Sequence, residues 1–362
     1  MSKKLILTVT NDLTTDQRMI RICSSLAATY EVTLVGRQLP KSASLKDRDF
    51  KQIRLNCFAK KGKFFYLEYN IRLLFFLLFQ KADAYCAIDL DTILPNLIVA
   101  KIKGKKLVYD AHEYFPYVPE VIERPTVQKM WIWIERFAVP KVDLCYTVSQ
   151  SIAEVFEQSY KIPVYTIRNV PLERPIAEIN KPEKRLVYQG ALNAGRGLEQ
   201  LLDACVGNTW KLEIFGDGDI AEKLKAMAVK LKLESQVAFK GKLDPEQLWK
   251  ETQKAYIGIN LAEDKSLSYR LSLSNKLFDY IQAGIPQVVI DFPEFRRIND
   301  QKPYGILIPS LSKKDITLAI NRLLDNGNLY KQLSDNCKEL RSELCWEKES
   351  KILVKLYHEL LR

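Results

Sequence analysis

Short apolar runs alternate with helically spaced stretches along this chain, and the alternation starts twice. Residues 5–10 read as a buried strand and 11–15 as a polar loop, after which Met19, Ile22, Cys23 and Leu26 recur at helical spacing. Further strands are expected at 31–35, 53–58, 84–88, 107–109, 143–147 and 165–168. From Arg185 the pattern restarts, with strands expected at 186–189, 211–215, 237–240, 256–261, 288–290 and 306–309. Parallel strands need a long crossover, usually a helix, so this alternation predicts parallel sheets covered on both faces. A chain of 362 residues has the length of about two such domains. The expected fold class is α/β: two doubly wound Rossmann-like domains, 1–170 and 185–345, joined by a linker at 171–184 that is rich in proline and charge. No G-x-G-x-x-G follows the first strand, so a dinucleotide fingerprint fails where it should be.

The formal charge is +11, which favours acidic partners: phosphorylated small molecules, anionic lipid or nucleic acid. The cations are spread along the chain without a recognition motif, so nucleic acid is not expected among them. Seven scattered cysteines without a C-x-x-C pair point to reduced thiols in the cytosol rather than disulfides or zinc. The apolar run at the N-terminus is too short for a signal h-region, and no run approaches the ~20 residues of a membrane span. A cytoplasmic location is expected. The segment from Lys60 to Phe79 joins a basic cluster to an aromatic-rich helix, and two readings of it stay open. It packs on the sheet, or it rests on an anionic membrane surface, which would make the protein peripheral on the inner face.

The stretch 261–291 reads as strand end, polar loop, short helix, glycine stop and strand. Ser272 and Ser274 are candidate N-caps, and Gly284 and Pro286 end the helix. Lys276 in its first turn opposes the helix dipole unless an anion sits at the helix start, where N–H groups and ammonium would face it together. Asp279, three residues on, would accept from sugar hydroxyls; the alternative is a surface lysine paired with Asp279. A second junction, 190–197, is a glycine-bearing loop ahead of a helix, with Arg196 at the helix start. Exposed N–H groups and a guanidinium there can hold a diphosphate, and a plain turn remains the alternative. Asp89 and Asp91 form a D-x-D that would hold a divalent metal or, more simply, place Asp91 as a helix cap. His112 ends a parallel strand, where side chains face a ligand; Asp110 or Glu113 beside it would otherwise satisfy it.

Taken together these residues resemble the GT-B glycosyltransferases, most closely the retaining family-four, or group 1, enzymes. The resemblance covers nearly the whole chain and is strongest from 186 to 289. Gly190, Ala191, Leu192, Arg196 and Gly197 stand where that family has G-R-L-x-x-x-K-G, with Arg196 at the phosphate-binding lysine and Ala191 at an arginine. Asp279 stands where a glutamate holds the nucleotide ribose, and Leu271 where an earlier glutamate belongs. S-N-K-L-F-D-Y resembles a bacterial variant in which Asn275 and Lys276 meet the diphosphate. Val237, Phe239 and Gly241 resemble the strand whose following turn, Lys242 and Leu243, contacts the base. D-Q-R-M-I-R, with Asp16 and Arg18, resembles the family's D-x-R-V-x-R, and His112 stands near the transferred sugar.

The resemblance implies two domains facing a cleft, with a C-terminal helix at 346–362 crossing back onto the first. It implies sugar transfer from a nucleotide-sugar donor to a hydroxyl of a glycan or lipid-linked acceptor in cell-surface polysaccharide synthesis. The anomeric configuration would be retained, with no cofactor and no metal. Arg196 and Lys276 would neutralise the leaving diphosphate, His112 would position the sugar, and Asp16, Arg18, Asp110 and Glu113 would line the acceptor side. The alternatives are a nucleotide-sugar epimerase of the same fold and a non-catalytic binding or assembly protein that kept it.

Overall fold

The computed structural model describes residues 2–14, 16–40, 42–59, 62–176 and 183–362. Backbone contacts divide the chain into two compact units, 1–169 with 348–362, and 170–347.

The first unit runs β1 (Lys4–Thr8), α1 (Gln17–Ala27), β2 (Glu31–Arg37), β3 (Lys51–Leu55), α2 (Gly62–Phe79), β4 (Ala84–Ile88), α3 (Ile93–Lys103), β5 (Lys106–Ala111), α4 (Pro119–Ile122), α5 (Pro125–Ala138), β6 (Leu144–Thr147), α6 (Gln150–Tyr160) and β7 (Val164–Thr166). Its seven strands lie in the order β3-β2-β1-β4-β5-β6-β7, all parallel. Every residue of β4 is buried, which is why the sequence there is a continuous apolar run rather than an alternating one.

The second unit runs β8 (Arg185–Gln189), α7 (Leu198–Cys205), β9 (Lys211–Phe215), α8 (Ala221–Lys230), β10 (Val237–Gly241), α9 (Pro245–Lys254), β11 (Ile257–Asn260), α10 (Leu267–Leu271), α11 (Asn275–Gln282), β12 (Gln287–Ile290), α12 (Pro293–Gln301), β13 (Gly305–Ile308), α13 (Lys313–Asp325) and α14 (Gly327–Leu340). Its parallel sheet has the order β10-β9-β8-β11-β12-β13. In each sheet the winding reverses once, between β1 and β4 and between β8 and β11. Ligands of open α/β sheets bind at such reversals, beyond the carboxyl ends of the strands.

The last helix, α15 (Trp346–Leu360), supplies Leu353 and Tyr357 to the first unit's core. The Tyr357 ring meets that of Tyr146 edge-on at 6.4 Å. Glu349 accepts from the Arg168 amide and guanidinium, both at 2.9 Å. Part of the proline-rich segment is anchored on the second unit: Trp346 N donates to Pro171 O at 2.8 Å, and the Arg174 guanidinium lies 5.4 Å from the Trp249 ring. The remainder of the expected linker, 177–182, lies outside the described residues.

Three expectations are corrected. The third strand is Lys51–Leu55, earlier than 53–58. The polar loop before α11 contains the one-turn helix α10, capped by Ser266, whose side chain accepts from Tyr269 N. Asp91 does not cap a helix: it is buried in a 3-10 turn and accepts from Thr10 Oγ1 at 2.6 Å. In the segment 60–79 the packing reading holds for one face of α2. Phe65, Tyr69, Leu73 and Leu77, four residues apart, form a buried stripe on α2, while Phe64, Leu67, Ile71, Phe75 and Phe79 are exposed. Lys60 and Lys61 lie outside the described residues.

Candidate functional site

At the reversal in the second sheet, β8 ends in Tyr188 and Gln189 and runs into Gly190. Gly190 and Gly216, the latter just after β9, are in backbone contact: a Cβ on Gly216 would stand 1.9 Å from Gly190 O. The loop 190–197 is further tied to the segment after β11, where Glu263 N donates to Gly195 O at 2.9 Å and a Cβ on Gly197 would reach within 2.7 Å of Leu261 Cβ. These contacts bring two helix starts together. Neither α7, with Gly197 at its N-cap, nor α11, with Ser274, has a side-chain cap bond. Ser274 Oγ instead donates to Asn260 Oδ1 at 2.7 Å, while Ser274 O accepts from Leu277 N at 3.0 Å.

Arg196 and Lys276 meet over this pair of helix starts. The Arg196 guanidinium lies 4.5 Å from the Tyr269 ring centroid and the Lys276 ammonium 4.5 Å from that of Tyr188. Lys276 Cε is 3.9 Å from where a Cβ on Gly190 would stand. Lys276 is 8% exposed, which removes the reading of a surface lysine paired with Asp279. Burial first, and then the nearby Arg196 charge, push its pKa down to about 7, with no carboxylate offsetting either. Two basic side chains, one of them desolvated, at helix starts without side-chain caps form an arrangement that favours an anion.

Asp279, one turn along α11, is engaged otherwise: Gln189 Nε2 donates to its Oδ2 at 2.8 Å, and Thr252 Oγ1 fixes Gln189 from the other end at 2.6 Å. Asn275 opens α11 on its exposed side. Past the end of β10, Lys242 is exposed, whereas Leu243 packs on the core cluster of Val187, Phe215, Ala255, Tyr280, Ala283 and Ile285. Leu271 closes α10, and the carboxylates just before that helix are paired, Glu263 with Lys265 at 2.7 Å and Asp264 with Arg270 at 2.5 Å.

Just past the carboxyl end of β5, one strand from the reversal in the first sheet, stands His112. Its Nε2 is 3.1 Å from Asp110 Oδ2, its Nδ1 3.7 Å from Asp89 Oδ2, and its amide donates to Asp89 Oδ1 at 2.8 Å. Burial opposes a charge on the ring, but Asp110 and Asp89 outweigh it and raise the pKa. Both His112 nitrogens thus face acidic side chains, which favours the charged form of the ring, while burial pushes Asp89 itself upward. The ring's second partner is Asp89, and the adjacent Glu113 is half-buried. Asp110 and Arg18 are buried and paired at 2.8 Å, and Arg18 also donates to Ile167 O at 3.0 Å. Asp110 thus links the Arg18 guanidinium to the His112 ring. Asp16 likewise has a local duty, accepting from Met19 N as the N-cap of α1. Burial pushes the Asp91 carboxyl up to about 6 against its bond from Thr10. Among the described residues no group of three or more His, Cys, Asp or Glu side chains could hold a metal ion.

Residues 169–340 match the model of the family described as Glycosyl transferases group 1. The chain carries a group 1 glycosyltransferase domain. That domain holds Gly190, Arg196, Gly197, Lys242, Leu243, Asn275, Lys276 and Asp279, whereas Asp16, Arg18, Asp110, His112 and Glu113 precede it. An uncharacterised glycosyltransferase of Methanocaldococcus jannaschii is 25% identical over 249 residues, 63% of this chain and 61% of the relative. One of Haemophilus influenzae is 22% identical over 219 residues, 58% and 60% respectively. The chain thus spans about three fifths of the length of the curated relatives it matches. Among solved structures, the chain is similar to sucrose-phosphate synthase from Thermosynechococcus elongatus, with a TM-score of 0.83 at 15% identity over 99% of each chain. HepE of Anabaena, solved in complex with UDP, gives 0.77 at 14% identity over 99% of this chain and 100% of that one. The fold is the GT-B fold.

Sequence reading missed Tyr188, Tyr269, Gln189 and Asp89 as partners of the chosen residues. Tyr188 and Gln189 could have been found by the strand-end rule that selected His112, since they close β8 directly before Gly190.

Proposed function

We propose that this chain transfers a sugar from a nucleoside diphosphate donor to an acceptor hydroxyl, with the diphosphate held in the group 1 domain by Arg196 and Lys276 at the starts of α7 and α11. The observation carrying this reading is the convergence of a buried lysine and an arginine on two helix starts without side-chain caps. Fixed cations stabilise charge that develops on a departing diphosphate, a large term in a site where water is excluded. UDP in the HepE crystal structure supports uridine diphosphate sugars as the first donors to test. Asp279, steered by Gln189, would accept from a ribose hydroxyl, and the turn at Lys242 would meet the base.

The configuration at the anomeric carbon would be retained. The bond from that carbon to the diphosphate oxygen breaks, the acceptor oxygen bonds on the same face, and its proton passes to the departing phosphate. The group 1 cluster offers cations and phenols for this, and no protein nucleophile is required of it. His112 would serve as a polar contact on the first unit. Cytoplasmic placement against a membrane, within surface-glycan synthesis, fits the exposed stripe of α2 and its neighbours. α3 lies beside α2 and exposes Ile98 and Ile102, and α5 lies beside α3 and exposes Met130, Trp133 and Phe137. Among the described residues no helix is long and apolar enough to cross a membrane.

A thermal-shift screen of nucleoside diphosphates and their sugars would identify the donor, since a ligand of the native state raises its melting temperature. Product analysis with and without an acceptor then separates transfer from epimerisation. No shift with any donor would remove the proposal.

A further inference from the structure

Apart from the residues discussed so far, the first unit contains a cavity of about 480 Å³ lined by Tyr114, Tyr117, Ile132, Glu135, Arg136 and Tyr160 among others. Glu135 is 1% exposed. Its Oε1 accepts from the Tyr160 hydroxyl, but its Oε2 has no hydrogen-bond partner. A buried carboxylate oxygen without a donor is costly, and a native structure normally supplies one. Three tyrosines line the same cavity, the Tyr114 and Tyr117 rings 4.3 Å apart. Arg136 stands exposed on the same wall.

We propose that this cavity binds a primary ammonium group through Glu135 Oε2 and the tyrosine rings, with Arg136 holding an anion a few bonds away, as a phosphoethanolamine group presents. Three features select that chemistry. Oε2 lacks a donor, so the ligand must bring N–H or O–H groups, which excludes a quaternary ammonium. A cation also neutralises the buried carboxylate, which a hydroxyl does not, and aromatic faces attract it. The rim guanidinium suits a phosphate. The same group occurs in soluble phosphodiesters and in lipid headgroups. α5, which contributes Glu135 and Arg136, also exposes Met130, Trp133 and Phe137.

The site has a proton-linked signature. Burial pushes Glu135 up to about 7, against the Tyr160 bond and the Arg136 charge. The other titratable groups near it are Tyr109 on β5, Tyr114 after it and Cys145 on β6, all with pKa values raised by burial and so neutral near pH 7. Glu135 must ionise to bind ammonium, so affinity rises with pH through 7.

The test is calorimetric titration of the full chain with glycerophosphoethanolamine, whose charges stay fixed between pH 6 and 8, beside glycerophosphocholine and a methyl glucoside. The ethanolamine ester should bind about tenfold more tightly at pH 8 than at pH 6. The choline ester and the glucoside should bind at least tenfold more weakly. Glu135→Gln should remove both the binding and its pH dependence, while Arg136→Gln should weaken binding but keep the dependence. Vesicles of phosphatidylethanolamine against phosphatidylcholine, in the same variants, assign the source: tighter capture by the former names the headgroup, and equal capture with soluble binding intact names a soluble ester. Equal affinity for the choline ester, for the glucoside or in Glu135→Gln, or no binding of the ethanolamine ester at pH 8, would overturn the proposal.

Discussion

Lys276 illustrates how a single side chain can be read twice. Its place in the first turn of α11 is visible in sequence as a conflict with the helix dipole, and only a ligand anion resolves it. Its burial and its separation from Asp279 were not visible, because they depend on Tyr188 and Arg196, which arrive from a different strand and loop. The consequence is measurable. The folded pKa is lowered to about 7 from 10.5, so between those values the unfolded chain holds a proton that the folded chain lacks. Stability from this group therefore rises with pH across that window, the cost being complete below pH 7. Urea denaturation should show Lys276→Met more stable than the native chain at pH 7, with the gap narrowing by pH 9; a constant gap would contradict the buried position. The Arg18–Asp110 pair lay beyond sequence reading for a plainer reason, since its partners are 92 positions apart. Removing one member of a buried pair strands the other charge, so Asp110→Asn should destabilise the chain by about 3–5 kcal/mol by chemical denaturation. A loss under 1 kcal/mol would mean that water reaches Arg18.

Elements were legible where periodicity was strong. The strands of both sheets could be placed because buried parallel strands are continuous apolar runs. α10 was not, since its five residues carry two polar side chains and no repeat, and its helical form depends on the Ser266 cap. α2 was half legible: its composition hides two stripes, one buried and one exposed, behind nearly uniform apolarity. The loop 190–197 was recognisable by its glycines, but what the glycines permit was not. Gly216 has φ +144° and touches Gly190 O, so Gly216→Ala should displace the loop that carries Arg196 and weaken UDP binding tenfold or more. Gly327→Ala, where a Cβ would meet nothing within 4 Å, is the control. Unchanged affinity in Gly216→Ala would show that the loop does not depend on this contact.

At the scale of the molecule, the α/β class followed from the alternation of strands and helices, and likeness to sucrose-phosphate synthase at 15% identity shows how little of that pattern needs particular residues. The role of the +11 charge was less legible, because charge alone does not distinguish a soluble anion from an anionic surface. The exposed stripe of α2 favours including the surface. Native chain should sediment with vesicles containing phosphatidylglycerol, and Phe75→Ser with Phe79→Ser should lower that binding about tenfold or more, as two exposed aromatic anchors are lost. Equal sedimentation of the variant would remove α2 as the contact.

Everything proposed for transfer depends on Arg196 and Lys276 receiving one diphosphate together. UDP titration at pH 8, in two buffers of different ionisation enthalpy, tests this directly. Lys276 is largely neutral at that pH and should be charged by the incoming anion, so the account predicts uptake of roughly 0.5–0.9 proton per UDP, abolished in Lys276→Met, with affinity falling further in Arg196→Ala. UDP binding without proton uptake, and with equal affinity in both variants, would contradict it.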